Sequence, residues 1–170
     1  MANLYPYLIP SLPMLSFGAP APFSCAQFLE RCAELISEDD HKVLRCLSVE
    51  EPSGVLSPVI KKWLRFNITL KNELVKVRSA RKKVSAENYL RPDGYAEPSF
   101  YHLALAACRD PRPLEGEKIL DIARWNFLDE LSFGHYFDFD LVIIYAYKLL
   151  ILERWERINT ADRELLLRSV

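Results

Sequence analysis

Glycine is scarce in this chain, with five in 170 residues against eleven prolines. So few glycines disfavour a turn-rich β fold, and prolines at segment boundaries suit helices separated by stiff connectors. The cysteines offer no framework. Cys25, Cys32, Cys46 and Cys108 contain no CxxC pair, and no His/Cys cluster has zinc-like spacing. Cys25 and Cys32 share a helix face but stand about 10 Å apart along it, too far for a bridge. The four are expected to be small hydrophobes in a reducing cytosol. Charge of one sign is missing too: 22 basic and 23 acidic residues leave −1. That balance argues against a nucleic-acid partner and gives no global attraction to anionic lipid. No apolar run is long enough to span a bilayer, which takes about 20 residues; the longest, Leu141 to Leu152, is interrupted by Lys148. Met1 to Tyr7 lacks the basic start of a signal peptide, and Pro6, Pro10 and Pro13 break its apolar run. A cytoplasmic chain without direct membrane insertion is the expectation.

The signatures of catalysis are equally thin. GxGxxG and GxxxxGK[ST] do not occur, so no nucleotide or other cofactor is expected. Three histidines, none near a serine or cysteine nucleophile in sequence, give no triad signal. Glu115, Glu117 and Asp121 lack the Glu-x-x-His pairs of a di-iron bundle. His135, Asp138 and Asp140 are the best metal or acid–base candidates, since an imidazole and two carboxylates within six residues suit a hard or borderline ion. The same aspartates precede an apolar helix, where a carboxylate satisfies free backbone N–H groups, and capping is the preferred reading. Asp39, Asp40 and His41 repeat the pattern, and His102 reads as a packed, hydrogen-bonded residue.

What is present is helical periodicity. Half the residues are apolar, enough for a core in one domain of 170 residues. Residues 1–23 are proline-spaced and apolar and should lie extended along the bundle, without a helix. Ser24 and Gln27 form a capping box before Phe28, Cys32, Leu35 and Ile36. Ser37 caps a second helix that turns Val43, Leu44 and Leu47 inward, followed by a turn at Glu51-Pro52-Ser53-Gly54. Ser57-Pro58 opens a long third helix to about Lys83, with Trp63, Phe66, Leu70, Leu74 and Val77 along one face. Its end is basic at Lys76, Arg78, Arg81, Lys82 and Lys83, and the run from Arg78 is either a solvated helix terminus or a grip for a partner.

Beyond a loop turning at Pro92-Asp93-Gly94, Ser99 caps a fourth helix through Cys108. A fifth, Leu114 to Leu131, places Ile119, Ile122, Trp125 (or Ala123), Phe127 and Leu131 on or near its buried stripe. Asp138 or Asp140 caps a sixth to about Ile158, and Thr160 caps a short last one. Glu153, Arg154 and Trp155, where the sixth helix turns charged, read either as simple surface or as an interface anchor, since tryptophan and arginine together are typical anchors. The third and sixth helices align at an offset of 80, Leu70 over Leu150 and Glu73 over Glu153. An internal duplication leaves such a pattern, and so do unrelated amphipathic helices.

Three stretches carry a resemblance: YPYLIPSLPML from Tyr5 to Leu15, KNELVKVRSARK with AENYLRPDG between Lys71 and Gly94, and above all PLEGEKILDIARWNFLDELSFGHYFDFDLVIIYAYKLLILERW from Pro113 to Trp155. In the last, Leu114, Glu115, Glu117, Leu120, Asp121, Arg124, Trp125, Phe137, Asp138, Tyr145, Leu149 and Glu153-Arg154-Trp155 fall at the expected places. Together they resemble a bacterial family encoded with V-type ATPase subunits, similar to the C-type subunit (the d-type in eukaryotes). The resemblance implies an all-helical, non-catalytic adapter between the central shaft and the membrane ring of an ion-transporting rotary ATPase. The C-type subunit is a funnel of three helical units, and this chain has room for two at most.

The expectation is therefore an all-α domain over 1–170, of about six helices. It comprises an extended segment (1–23), a first helical unit (24–84) and a second (99–170). The expected role is a V/A-type ATPase subunit that is not an enzyme, takes no cofactor or metal, and has the shaft subunit and the membrane ring as partners. The candidate interface is Arg78, Arg81, Lys82, Lys83, Glu153, Arg154 and Trp155. The alternatives are a helical adapter of another complex, with an exposed Trp155 and the Arg78–Lys83 run as contacts, and a small metal-dependent hydrolase on His135, Asp138 and Asp140.

Overall fold

A computed structural model describes residues 3–47, 57–95 and 97–168, with side chains through 161. The turn expected at Glu51–Gly54 lies outside the described residues. The protein is all-α, with seven α-helices among the described residues: α1 (Leu8–Ser11), α2 (Cys25–Ala33), α3 (Glu38–Cys46), α4 (Pro58–Lys82), α5 (Pro98–Arg109), α6 (Pro113–Ser132) and α7 (Phe139–Arg168). A 3-10 turn covers Glu87–Tyr89. The one β element among them is an isolated bridge between Leu4 and Asp138. No described helix is long and apolar enough to cross a membrane.

Helix starts follow their caps. Ser24 and Gln27 bond reciprocally as a capping box, and Ser37 and Ser57 accept from Asp40 N–H and Ile60 N–H. Each satisfies an N–H that the first turn leaves without a partner. Pro58, with no N–H to lose, occupies the first turn of α4.

The chain divides into two compact units, one from residues 1–56 and 128–170, the other from 57–127; the division falls inside α6. In the first, α2 packs on α3 and both pack on α7. Phe28 stacks with Phe23 at 6.2 Å between ring centroids and meets Tyr145 at 5.4 Å. The N-terminal segment lies along the same unit: Tyr5 N–H donates to Phe137 C=O, Phe139 N–H to Asn3 C=O, and the Tyr145 hydroxyl to Pro13 C=O. Tyr5 also donates its hydroxyl to Asp40 Oδ2, tying the segment to the start of α3. Val142, Ile143, Ile144, Ala146, Tyr147, Leu149, Ile151 and Leu152 are all buried. A helix apolar on every side is a core helix.

In the second unit α4 packs along α5. Trp63, Phe66, Leu70, Leu74 and Val77 are all buried, as their spacing predicts. Phe66 is the hub, stacked on Phe127 at 4.1 Å and edge-on to Phe100 at 5.1 Å. The segment between α4 and α5 runs back along α4. Asn72 donates to Arg91 C=O and accepts from Arg91 N–H, at 2.9 and 2.8 Å, and Thr69 Oγ1 accepts from Tyr95 N–H at 3.2 Å. Gly94 passes so close that a Cβ there would lie 2.6 Å from Asn72 Nδ2. This return brings Phe100 beside Phe66 and Cys108 beside Arg81, so α4 and α5 run in the same direction and end together.

Several expectations are corrected. Residues 1–23 contain one helical turn, Leu8–Ser11, ended where the chain extends at Leu12; Pro10 is tolerated because a first turn has no i−4 partner to lose. Ser99 does not cap α5: Glu97 occupies that position without a side-chain cap, and Ser99 Oγ donates to Glu97 Oε1. Thr160 is interior to α7, its hydroxyl donating to Glu156 C=O one turn back, so no separate last helix begins there. Leu35 lies beyond the end of α2, half-exposed, and His102 is exposed against the edge of Tyr101. In α6 the buried positions are Gly116, Leu120, Asp121, Trp125 and Leu128, whereas Ile122 is exposed. The stripe is set by Gly116, where a Cβ would stand 2.5 Å from Ala107 C=O of α5.

Candidate interaction groove

The basic end of α4 takes its shape from its terminus. Lys83 adopts the left-handed conformation, φ 56°, with Lys83 N–H donating to Ala80 C=O and Val84 N–H to Ser79 C=O. This 6→1 closure satisfies carbonyls that the last turn leaves open and turns the chain sharply away. Arg78, Arg81, Lys82 and Lys83 are exposed around it. Arg81 reaches across to α5, Nη1 donating to Cys108 C=O at 2.9 Å, so it also answers the carbonyl end of the neighbouring helix.

Between the two ends lies a groove of about 560 Å³. Val77, Ala80, Leu105 and Cys108 line it with apolar surface, Tyr101 is half-exposed along it, and Lys76, Arg81 and Arg109 supply the charges. Lys76 is tied to the buried Glu73, 2.6 Å away. Among the described residues no carboxylate pairs with Arg78, Arg81, Lys82, Lys83 or Arg109; the neighbouring Asp110 is held by Arg112, which keeps its carboxyl below the usual range. Arg109 and the groove were missed by sequence reasoning. A single cation at a helix end is an ordinary feature, and only the parallel run of α4 and α5 brings it beside Arg81.

The other expected contacts belong to the first unit. Trp155 is half-buried, edge-on to Phe17 at 6.4 Å, so it holds the N-terminal segment and is not the exposed anchor expected of it. Arg154 and Glu153 are half-buried as well. Glu153 accepts the Cys25 thiol; burial first, then that bond and the carboxylate charge, push the thiol up to about 12.

The loop before α7 does gather His135, Asp138 and Asp140, with one ligand atom from each within 4.8 Å of the others. Asp138 is the helix cap, accepting Leu141 N–H at 3.2 Å on Oδ1 and His135 Nδ1–H on Oδ2. Asp140 stands in the first turn, where the dipole favours an anion. Capping accounts for Asp138 and the first-turn dipole position for Asp140, and His135 is the hydrogen-bonded partner of the cap. Of the di-iron candidates, Asp121 is fully buried and paired with Arg124, whose Nε donates to Asn67 Oδ1 at 3.1 Å.

No curated protein and no solved structure matches the chain. A protein-family model described as Protein of unknown function (DUF2764) matches residues 99–170, from α5 through α7, less than half of the chain.

Proposed function

We propose that this chain is a non-catalytic component of a V/A-type rotary ATPase, resembling its C-type subunit and coupling the central shaft or soluble head to the membrane ring for ion transport. It would sit on the cytoplasmic side, peripheral to the inner membrane through its complex. The observation that carries the reading is the Pro113–Trp155 stretch: it resembles the family encoded with V-type ATPase subunits and forms α6, the aromatic loop and the first half of α7. Stiffness supports it. With 25 and 30 residues, α4 and α7 run about 38 and 45 Å at 1.5 Å per residue. A part that transmits torque needs such rods, and it needs no pocket with convergent catalytic groups.

A second reading, a helical adapter of another complex, is favoured by the cationic groove of α4 and α5. Affinity capture from native membranes separates the two: the first predicts recovery of the catalytic and shaft subunits of a rotary ATPase, the second a different set of proteins. The hydrolase reading rests on the convergence of His135, Asp138 and Asp140, and a stoichiometric, tightly held metal ion in the purified protein would be its mark.

A further inference from the structure

We infer that the groove between the ends of α4 and α5 binds an amphipathic helix of a partner protein that presents acidic side chains beside an apolar stripe. Two observations converge on this occupant. The lining at Val77, Ala80, Leu105 and Cys108 is apolar and open, and its volume falls in the range of sites that take a ligand. Around it stand Arg81 and Arg109, with Arg78, Lys82 and Lys83 next to them, all exposed and without a carboxylate partner among the described residues. Five such cations in a chain of net charge −1 concentrate positive charge at this end beyond what the two helix termini take up, which suits an anionic partner.

The same features choose among anionic partners. Single-stranded nucleic acid needs a succession of stacking aromatics, and the lining holds Tyr101 alone. A lipid surface calls for apolar side chains that protrude, and here the apolar atoms form a concave floor. A helix laid between two helices, its leucines down and its carboxylates on the arginines, fits both floor and rim. The inference goes beyond the rotary ATPase reading and stands without it, because it follows from the α4–α5 geometry alone.

The test uses the whole chain and a labelled synthetic peptide of about 18 residues with leucine at i, i+3, i+4 and i+7 and glutamate on the flanks. Fluorescence anisotropy should show saturable binding, weakened by salt. Arg109→Glu should weaken it about tenfold, the size of a close charge-pair effect. Ala80→Trp, which fills the floor, should weaken it at least as much. Circular dichroism verifies that both exposed positions accept the change. The proposal is overturned if the peptide does not bind, if its lysine-for-glutamate counterpart binds equally well, or if both variants bind like the parent. Tighter, Arg109-dependent binding of a single-stranded oligonucleotide or of phosphatidylserine vesicles also overturns it, as does self-association that occupies the groove. Failure here leaves the rotary ATPase reading standing, since that reading is judged by what the chain captures from membranes.

Discussion

Asp121 and Arg124 show what a charge does inside a helical core. Asp121 is 1% exposed, and the Arg124 guanidinium one turn on supplies both its counter-charge and a hydrogen bond, while Asn67 holds the arginine's Nε. Removing one partner strands the other in low dielectric, which costs about 3–5 kcal/mol, whereas replacing both by apolar groups of similar volume is often neutral. Asp121→Ala should therefore lower the urea unfolding free energy by about 3 kcal/mol, and Asp121→Leu with Arg124→Met should recover most of that loss. Equal losses in both would show that the pair itself stabilises the fold. Titration gives a second test. Burial, with Glu153 adding to it, pushes the Cys25 thiol from 9.0 up to about 12; burial alone does the same for Cys32, and burial lifts Tyr145 from 10.0 to about 12 against the opposing charge of Arg31. Each folded value exceeds the unfolded one, so the stability these groups contribute is full below pH 9 and falls as pH rises toward 12. Thermal melts should show a constant Tm from neutral pH to about pH 9 and a decline above it. Cys25→Ala with Cys32→Ala should make that decline shallower.

Among the elements, α6 separates what a periodic pattern can tell from what it cannot. Its existence, its end and its role as an amphipathic helix follow from the sequence. Its rotation follows only in part: Trp125 is buried as expected, but a stripe through Ile122 is about as apolar as the one through Leu120 and Leu128, and it is the latter that is buried. Gly116 decides between them by allowing the Ala107 carbonyl to come close. Gly116→Ala would raise helix propensity by about 1 kcal/mol in an open helix. Here the added methyl meets backbone, and overpacking of about 1–3 kcal/mol outweighs that gain, so the substitution should lower the denaturant midpoint; a rise would mean the contact yields freely. Other elements were legible for plain reasons. The caps Ser24, Ser37 and Ser57 are local, and the α4 face is a single unambiguous stripe. Thr160 misled because a hydroxyl that can cap a helix can also bond back to the preceding turn within one. Thr69 and Asn72, which fasten the returning loop to α4, sit in a helix interior where their partners lie 19 to 26 residues away. Mid-helix polar residues on an apolar face were the only signal.

At the scale of the whole molecule, one compact unit joins residues 1–56 to 128–170 and the other takes 57–127 between them. A discontinuous unit leaves no local mark in a sequence; Tyr5 on Asp40 and Phe17 on Trp155 are pairings that only the folded chain displays. The candidate interface is divided in the same way. Of the basic run of α4, Arg81 lines a groove together with Arg109 from α5, whereas Trp155 is engaged by the N-terminal segment. The central claim, membership of a rotary ATPase, rests on the resemblance of the stretch from Pro113 to Trp155, and its most direct test is to use the chain as bait on gently solubilised native membranes and identify what it retains by mass spectrometry. The account predicts the catalytic and shaft subunits of a V/A-type ATPase in stoichiometric yield. Their absence from the capture, in a preparation whose ATPase is shown to be intact, would contradict it.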